Sequence, residues 1–189
     1  MRIDPKQAAP ADEAVLVATR RWLERAVIGL NLCPFAKAVQ VKNQIRYVVS
    51  AAQTPGDLLA DLLVELRTLQ AADASEIDTT LLVHPRALVD FLDYNDFLEL
   101  ADAAVADAGL AGEIQVASFH PQYQFAGTRP EDIENYSNRS PYPLLHLLRE
   151  ASIERAVAAV PDASEIFERN IETLRKLGRD GWRRLGVGK

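Results

Sequence analysis

The sequence has little sulfur and no long apolar run. Its 189 residues include one cysteine, Cys33, so an intramolecular disulfide is excluded and a reducing compartment is the simplest expectation. No apolar stretch approaches the ~18 residues of a membrane-spanning helix. The N-terminus, MRIDPKQAAPADEA, lacks the apolar segment of a secretory signal. These absences predict a cytoplasmic protein without a membrane partner.

Positive charge is also scarce, because 21 Lys and Arg face 27 Asp and Glu for a formal net charge of −6. This balance argues against a nucleic-acid partner, since such binding needs a basic face. The exception is the C-terminal stretch, where the basic residues are Arg175, Lys176, Arg179, Arg183, Arg184 and Lys189. We interpret that stretch as a solvated helix end whose cations complement the helix dipole. Docking of an anionic partner or of a second copy of the chain is the alternative.

Composition and hydrophobic periodicity predict one globular domain at residues 12–189, preceded by a loose arm at 1–11. The predicted order of elements is α-β-α-β-α-β-long loop-α-α. Helices are expected at about 12–30, from the TPGD sequence onward, at 86–108 with DYND as an alternative break point, and at 142–160, ended by Pro161. A last helix is expected after a cap formed by Asp162 and Glu165, running to about 177 or beyond. Strands are expected in QIRYVVSA, DTTLLVHP and GEIQVASFHP.

This order predicts an α/β fold with a small sheet of about three strands, mostly parallel and covered by helices. The reason is that strands separated by helices favour parallel crossover connections. A mixed sheet or a ferredoxin-like α+β arrangement is the alternative, because one sequence does not determine strand order.

Two histidines occupy matching positions. In LLVHP and ASFHP, an apolar strand ends in His84 or His120 followed by proline, which cannot donate to a sheet ladder. If the two strands are parallel, both imidazoles lie at the carboxyl edge of the sheet, where ligands of open α/β sheets bind. An unperturbed pKa of about 6.5 suits proton transfer near neutrality, so we predict both as catalytic acid/base groups.

The third histidine, His146, lies in PYPLLHLLRE, which we expect to be helical with Glu150 on the same face. His84, His120 and His146 together are a weaker, alternative set of ligands for a divalent metal. It is weaker because the three come from separate elements without close ligand spacing. No other metal or cofactor site is identified, and no Gly-rich phosphate or dinucleotide motif is present.

Cys33 precedes Pro34 in GLNLCPFAKAV, so it could cap a short helix. A helix N-terminus stabilises a thiolate, and a nearby imidazole could then make Cys33 a nucleophile. The alternative is an inert buried thiol, because unpaired cysteine is usually buried.

The long segment before PYPLLHLLRE has no secondary-structure period and is rich in aromatic residues, unlike disordered chains. Long ordered loops are usually functional. Arg139 presents a planar fork suited to carboxylate or phosphate, so we predict a small anionic ligand. The predicted ligand-binding residues are Tyr123, Asn135, Tyr136, Asn138, Arg139, Ser140 and His146. In the alternative, these side chains form turns and Arg139 pairs with Glu131, Asp132 or Glu134.

Several longer motifs carry a family resemblance. They are LNLCPFA, the HP of LLVHP, DFLDYNDFL, GEIQVASFHPQYQFAG and NYSNRSPYPLLHLLRE. Through them the chain resembles a family of bacterial proteins defined as domain of unknown function 1415, from about Trp22 to the last helix. The resemblance implies no particular reaction and supplies no site residue.

The sequence therefore favours a small enzyme acting on an anionic metabolite by histidine-assisted acid/base chemistry, of hydrolase or transferase type. A non-catalytic ligand-binding or sensor module is the first alternative, since it needs the same pocket. A protein-interaction module is the second, through the aromatic loop or the basic C-terminal helix.

Overall fold

A computed structural model describes residues 10–158 and 165–188. The helices are α1 (Pro10–Trp22), which continues as a π-helix (Leu23–Ile28), α2 (Ala36–Val41), α3 (Pro55–Ala71), α4 (Phe91–Asp107), a 3-10 helix (Ile133–Asn138), α5 (Glu150–Ala158) and α6 (Ile166–Leu185). The strands are β1 (Ile45–Val49), β2 (Thr79–Val83), β3 (Ile114–Phe119) and β4 (Leu144–Arg149). Residues 120–143 form the long loop between β3 and β4, which contains the 3-10 helix.

The four strands form one sheet in the order β1-β2-β4-β3. β1 pairs with β2 in parallel, and β4 pairs antiparallel with both β2 and β3. Strands β1, β2 and β3 therefore run in the same direction, and β4 lies between two of them in the opposite direction. The α/β class is confirmed, whereas the sheet has four strands rather than about three and is mixed.

The strand β4 corrects the helix predicted at 142–160, which begins only at Glu150. Four leucines of β4, at positions 144, 145, 147 and 148, have the spacing of a helix face. In the structure the same spacing arises because this central strand is packed on both faces. His146 consequently lies in a strand, and its predicted helical pairing with Glu150 is wrong. Pro161 and Asp162, expected to separate the last two helices, lie outside the described residues.

Helix α3 begins as predicted. The Thr54 side chain accepts a hydrogen bond from the backbone N–H of Asp57 at 3.2 Å, and Pro55 occupies the first turn. Helix α4 begins at Phe91, with Asp90 as its cap, rather than at 86, and it continues unbroken through Tyr94. The last helix runs from Ile166 to Leu185 but is broken at Gly178, whose φ of 64° and ψ of 173° are not helical, so its first segment ends at the predicted Leu177.

Two hydrophobic clusters cover the two faces of the sheet. The first lies under α3 and α4 and includes Leu58, Leu62, Leu66, Leu82, Tyr94, Phe97, Leu145 and Leu147. The second lies under α1, the π-helix and α6 and includes Val15, Trp22, Ala26, Leu81, Val83, Leu144, Leu174 and Trp182. Since strand side chains alternate, successive residues of β2 face opposite clusters.

The predicted arm at residues 1–11 lies outside the described part of the chain up to residue 9, and Pro10 already begins α1. Within the ranges 10–158 and 165–188, no helix is both long enough and apolar enough to cross a membrane.

Candidate functional site

Three residues directly follow the three strands that share a direction. They are Ser50 after β1, His84 after β2 and His120 after β3, and all lie at the carboxyl edge of the sheet. Their relative exposures are 2%, 0% and 0%, so the edge is buried. The long loop covers this edge, because the backbone N–H of His84 donates to the Pro143 carbonyl at 3.0 Å and that of His120 donates to the Asn138 carbonyl at 3.2 Å.

His84 has one free ring nitrogen. Its Nδ1 lies 3.0 Å from the Ala87 carbonyl, which can only accept, so the hydrogen-bond partner assigns the proton to Nδ1. Its Nε2 then carries a lone pair, and it is buried without a hydrogen-bond partner among the described residues. The Thr80 hydroxyl on the same face of β2 is the other such buried atom. Burial lowers the pKa of His84 to about 4, so the ring is neutral at pH 7.

His120 has the opposite tautomer. Its Nδ1 accepts a hydrogen bond from the backbone N–H of Gln122 at 3.0 Å, so the proton is on Nε2. That Nε2 lies 3.3 Å from the Leu88 carbonyl, to which it donates. Unlike His84, this ring has both nitrogens engaged by the backbone.

Tyr94 of α4 lies between the two histidines. Its ring centroid is 5.7 Å from that of His84, nearly parallel at 18°, and 5.1 Å from that of His120. Its hydroxyl donates to the Leu144 carbonyl at 2.8 Å and accepts from the Phe119 N–H at 3.0 Å. Burial raises the pKa of this phenol, so the group stays protonated. Tyr94 positions both imidazoles, and the aromatic motif DFLDYNDFL was the available signal for it.

The ion pair of Asp12 and Arg86 lies beside Ser50 at the carboxyl edge of the sheet. Both terminal nitrogens of Arg86 lie 3.2 Å from one carboxylate oxygen of the buried Asp12, and one of them donates to the Ser50 carbonyl at 3.1 Å. The Ser50 hydroxyl donates to the Asp61 carboxylate at 2.6 Å. Sequence reasoning missed these four residues. The signal for Ser50 was its position directly after a strand, the same position that His84 occupies.

A shallow depression of about 450 Å³ lies at the end of β1. It is lined by Ala51, Ala52, Gln53, Thr54, Asp57, Ala60 and Asp61. Asp61 belongs both to this lining and to the hydrogen bond with Ser50, so the depression adjoins the carboxyl edge of the sheet.

His146 lies on the opposite face of the sheet. It pairs with Leu81 of β2, which faces the α1 side, and its ring centroid is 6.1 Å from that of Phe119. Its Nε2 is 2.7 Å from the Thr79 hydroxyl, which donates to the Leu147 carbonyl at 2.6 Å. Loss of hydration lowers the pKa of this ring to about 4.

The sheet therefore separates His146 from His84 and His120. Within the described ranges, no group of three or more His, Cys, Asp or Glu side chains is placed to hold a metal ion. The three-histidine set considered from the sequence is not brought together by the fold.

Cys33 lies with the α1-side cluster and away from Tyr94. Helix α2 starts at Ala36, with Phe35 in the cap position. Burial raises the pKa of the Cys33 thiol, although the backbone N–H groups of Phe35 and Ala36 oppose this effect. A raised pKa disfavours the thiolate that a nucleophilic role needs.

Asn135 is the central polar residue of the long loop and is fully buried. Its carbonyl oxygen accepts from the Phe125 N–H at 3.0 Å and from the Thr128 hydroxyl at 2.8 Å. Its amide nitrogen donates to the Arg129 carbonyl at 2.8 Å. All three bonds stay inside the loop, so the amide sets the shape of the loop.

Other candidate polar groups of the loop are also bonded locally. The Asn138 amide donates to the Ser118 carbonyl at 3.1 Å, and the Ser140 hydroxyl donates to the Tyr142 carbonyl at 2.6 Å. The Tyr123 hydroxyl accepts from the Ser118 hydroxyl at 3.3 Å. These groups hold the loop against β3.

Arg139 differs from its neighbours because it has no carboxylate partner among the described residues. Its Nε donates to the Tyr123 carbonyl at 3.2 Å and its Nη2 donates to the Pro130 carbonyl. The guanidinium lies 4.3 Å above the Tyr136 ring, and burial lowers its pKa. The carboxylates considered as partners from the sequence pair elsewhere, with Arg129 or Arg175.

Comparison with protein families shows to which family the chain belongs. The family model described as a protein of unknown function, DUF1415, matches residues 14–184. The chain belongs to the DUF1415 family. No curated protein and no solved structure matches the chain. The matched range of this DUF1415 protein includes Ser50, His84 and His120, so the whole carboxyl edge of the sheet belongs to the family domain.

The edge of this DUF1415 protein combines two neutral imidazoles of opposite tautomer around one tyrosine ring. One of them, His84, retains a basic nitrogen that no group in residues 10–158 and 165–188 uses. Such a nitrogen can accept a proton from a bound molecule or accept a hydrogen bond from it.

Proposed function

We propose that this DUF1415 protein is a cytoplasmic enzyme that acts on a small anionic metabolite by acid/base chemistry at the carboxyl edge of its sheet. The observation that carries the proposal is the buried Nε2 of His84, which has no hydrogen-bond partner among the described residues. Leaving a buried polar atom unpaired costs about 1–3 kcal/mol, and most proteins avoid it. A substrate that reaches this atom would supply the missing partner.

In this proposal His84 accepts a proton from the substrate at Nε2. Its Nδ1–H already donates to the Ala87 carbonyl, which stabilises the imidazolium that forms. An anionic substrate group nearby raises the pKa of His84 from about 4 towards neutrality, because an opposite charge favours the protonated ring. His120 and Tyr94 act as positioning residues, and hydrolysis and group transfer both fit this role of His84.

The substrate is proposed to bind at the carboxyl edge of the sheet, where ligands of open α/β sheets bind. The anionic group would be bound by Arg139, whose guanidinium has no carboxylate partner in the described part of the chain. Reaction at a covered edge requires movement of the long loop, as in enzymes that close loops over a substrate.

A non-catalytic sensor is the second candidate. It is favoured by the internal hydrogen bonding of the loop, in which Asn135 and Ser140 use their polar atoms on the loop itself. A ligand could then order or move the loop without proton transfer.

The test is a library of phosphorylated and carboxylated metabolites, followed by mass spectrometry for conversion and by thermal unfolding for binding. His84→Asn places its amide near the position of Nδ1, so it can keep the bond to Ala87 while Nε2 is lost. The matched control is His146→Gln, which can keep the bond to Thr79 on the other face of the sheet. We expect a loss of turnover of about a hundredfold or more in His84→Asn and little change in His146→Gln.

Full turnover by a folded His84→Asn variant would contradict the catalytic role. Circular dichroism of both variants checks the fold. A metabolite that raises the unfolding temperature of the wild type and is never converted would instead support the sensor.

A further inference from the structure

We propose that Arg139 and Arg179 form a binding site for a phosphoryl group between the long loop and α6. This inference deepens the proposed function and rests on it for the identity of the ligand as substrate. Occupancy of the site by phosphate requires no catalysis, so the two can be tested apart.

Most charged side chains of the long loop are paired with one another or with α6. Arg129 pairs with Asp132 at 3.1 Å and with Glu131 at 3.7 Å, and Arg175 pairs with Glu134. Neither Arg139 nor Arg179 has a carboxylate within ion-pair distance in the ranges that the structure describes, although the Asp132 carboxylate interacts with Arg179 over a longer distance. Arg139 is moreover only partly exposed, and a cation in that setting is costly without a counter-charge.

The two guanidinium groups bond to the carbonyls of two consecutive loop residues. Nη2 of Arg139 donates to the Pro130 carbonyl, and Nε and Nη2 of Arg179 both donate to the Glu131 carbonyl. Pro130 and Glu131 are consecutive, so the two cations are held on adjacent peptide units. The Nη1 group of Arg179 has no hydrogen-bond partner among the described residues and remains available, whereas the Arg139 guanidinium also interacts with the Tyr136 side chain.

Two packed aromatic rings support the Arg139 guanidinium. The Arg139 guanidinium stacks on the Tyr136 ring, and that ring meets the indole of Trp182 edge-on at a centroid distance of 5.2 Å. Trp182 belongs to α6 and is buried. Because α6 carries both Trp182 and Arg179, the two guanidinium groups are supported by one packed unit of loop and helix.

The combined charge of Arg139 and Arg179 favours a phosphoryl group as the ligand. Two neighbouring guanidinium groups offer two positive charges and planar sets of donors, which match the two charges and three oxygens of a phosphoryl group. A single carboxylate would leave one of the two cations uncompensated. We therefore expect phosphate to bind more tightly than a monocarboxylate.

The experiment is a calorimetric titration of the full chain with inorganic phosphate, with acetate and sodium chloride at equal ionic strength as separate arms. We expect saturable binding of phosphate that Arg179→Gln weakens by about tenfold or more. Arg139→Lys retains the charge but loses the fork, and it should weaken binding as well. The matched control is Arg67→Gln, which should bind as the wild type does, because Arg67 is exposed on α3, on the other face of the sheet.

Absence of saturable phosphate binding, or unchanged binding in Arg179→Gln, would overturn the site. Arg179 is exposed, so its substitution leaves folding intact and the result interpretable. Equal binding of acetate would overturn the assignment to a phosphoryl group. His84→Asn should bind phosphate normally, so full turnover in that variant would remove the proposed reaction and leave the phosphate site standing.

Discussion

His84 and His146 are identical side chains in different surroundings. Both have lowered pKa values because of lost hydration, yet His146 has a hydroxyl partner at Nε2 and His84 has none in the part of the chain that the structure describes. His84 is fully buried, whereas His146 keeps some exposure in its strand. At the residue scale, the unpaired nitrogen of His84 is therefore the feature that distinguishes a candidate reactive group from a packed core histidine.

The lowered pKa of His84 predicts a dependence of stability on pH. The folded pKa of about 4 lies below the unfolded value of about 6.5, so the unfolded chain binds the proton more readily between these values. The stabilising contribution is fully present above pH 6.5 and falls as the pH drops towards 4, by roughly 3 kcal/mol. Urea unfolding of the wild type and of His84→Asn at pH 7.5 and 4.5 measures this loss.

His84→Asn should lose less stability over this pH range than the wild type does. His146→Gln should reduce the pH dependence by a similar amount, because burial lowers the pKa of that ring to about 4 as well. An identical pH dependence in His84→Asn and the wild type would show that His84 does not titrate in this way.

Residue-level reasoning placed His84 and His120 because a His-Pro pair ends each of two apolar strands. It could not find the Asp12–Arg86 ion pair, whose members are 74 residues apart in the chain. The sequence also could not predict which ring nitrogen of His84 is free. That depends on how the chain after β2 places the Ala87 carbonyl beside the ring.

At the scale of elements, the long loop is an ordered element held by one buried amide. Asn135 bonds to three groups of residues 125–129, and those bonds are shielded from water. The order of the loop therefore depends on internal hydrogen bonds rather than on regular secondary structure.

Asn135→Ala should destabilise the fold by about 2–4 kcal/mol, because it leaves the Phe125 N–H and the Arg129 carbonyl without their partner. Gln122→Ala in the same loop is the matched control, since that amide is exposed and should contribute less than about 0.5 kcal/mol. Chemical denaturation of the two variants gives the comparison. Equal stability of both would mean that the loop is ordered by other contacts.

The strand β4 shows why elements were harder to predict than the fold class. Alternating or continuous apolar runs marked β1, β2 and β3, but the leucines of β4 are spaced as on a helix. A central strand buried on both faces and a helix with one buried face share that pattern. The position of β4 between β2 and β3 arises from long-range pairing, which local propensity does not encode.

At the scale of the whole molecule, one ion pair joins the first helix to the carboxyl edge of the sheet. Asp12 of α1 holds Arg86, which follows β2 and also bonds to the Ser50 carbonyl after β1. The contact connects the helical layer on one face with the ends of two strands. The contact therefore helps to hold the ends of β1 and β2 in place at the candidate site.

Asp12→Ala should destabilise the chain by about 1–3 kcal/mol, because Arg86 loses its counter-ion while keeping partial access to water. The neighbouring Glu13→Ala is the matched control, since Glu13 is exposed and has no ion-pair partner among the described residues. Thermal unfolding of both variants measures the difference. Equal unfolding temperatures would contradict a supporting role for the Asp12–Arg86 pair.

The most direct test of the central claim is nitrogen-15 NMR of the histidine side chains, with assignments made from the His84→Asn and His146→Gln variants. We expect His84 at pH 7 to carry its proton on Nδ1, and its Nε2 resonance to move when a stabilising phosphorylated metabolite is added. The His146 resonances should not move. A His84 ring that is protonated on Nε2, or that titrates near 6.5 and ignores every ligand that stabilises the protein, would contradict the account.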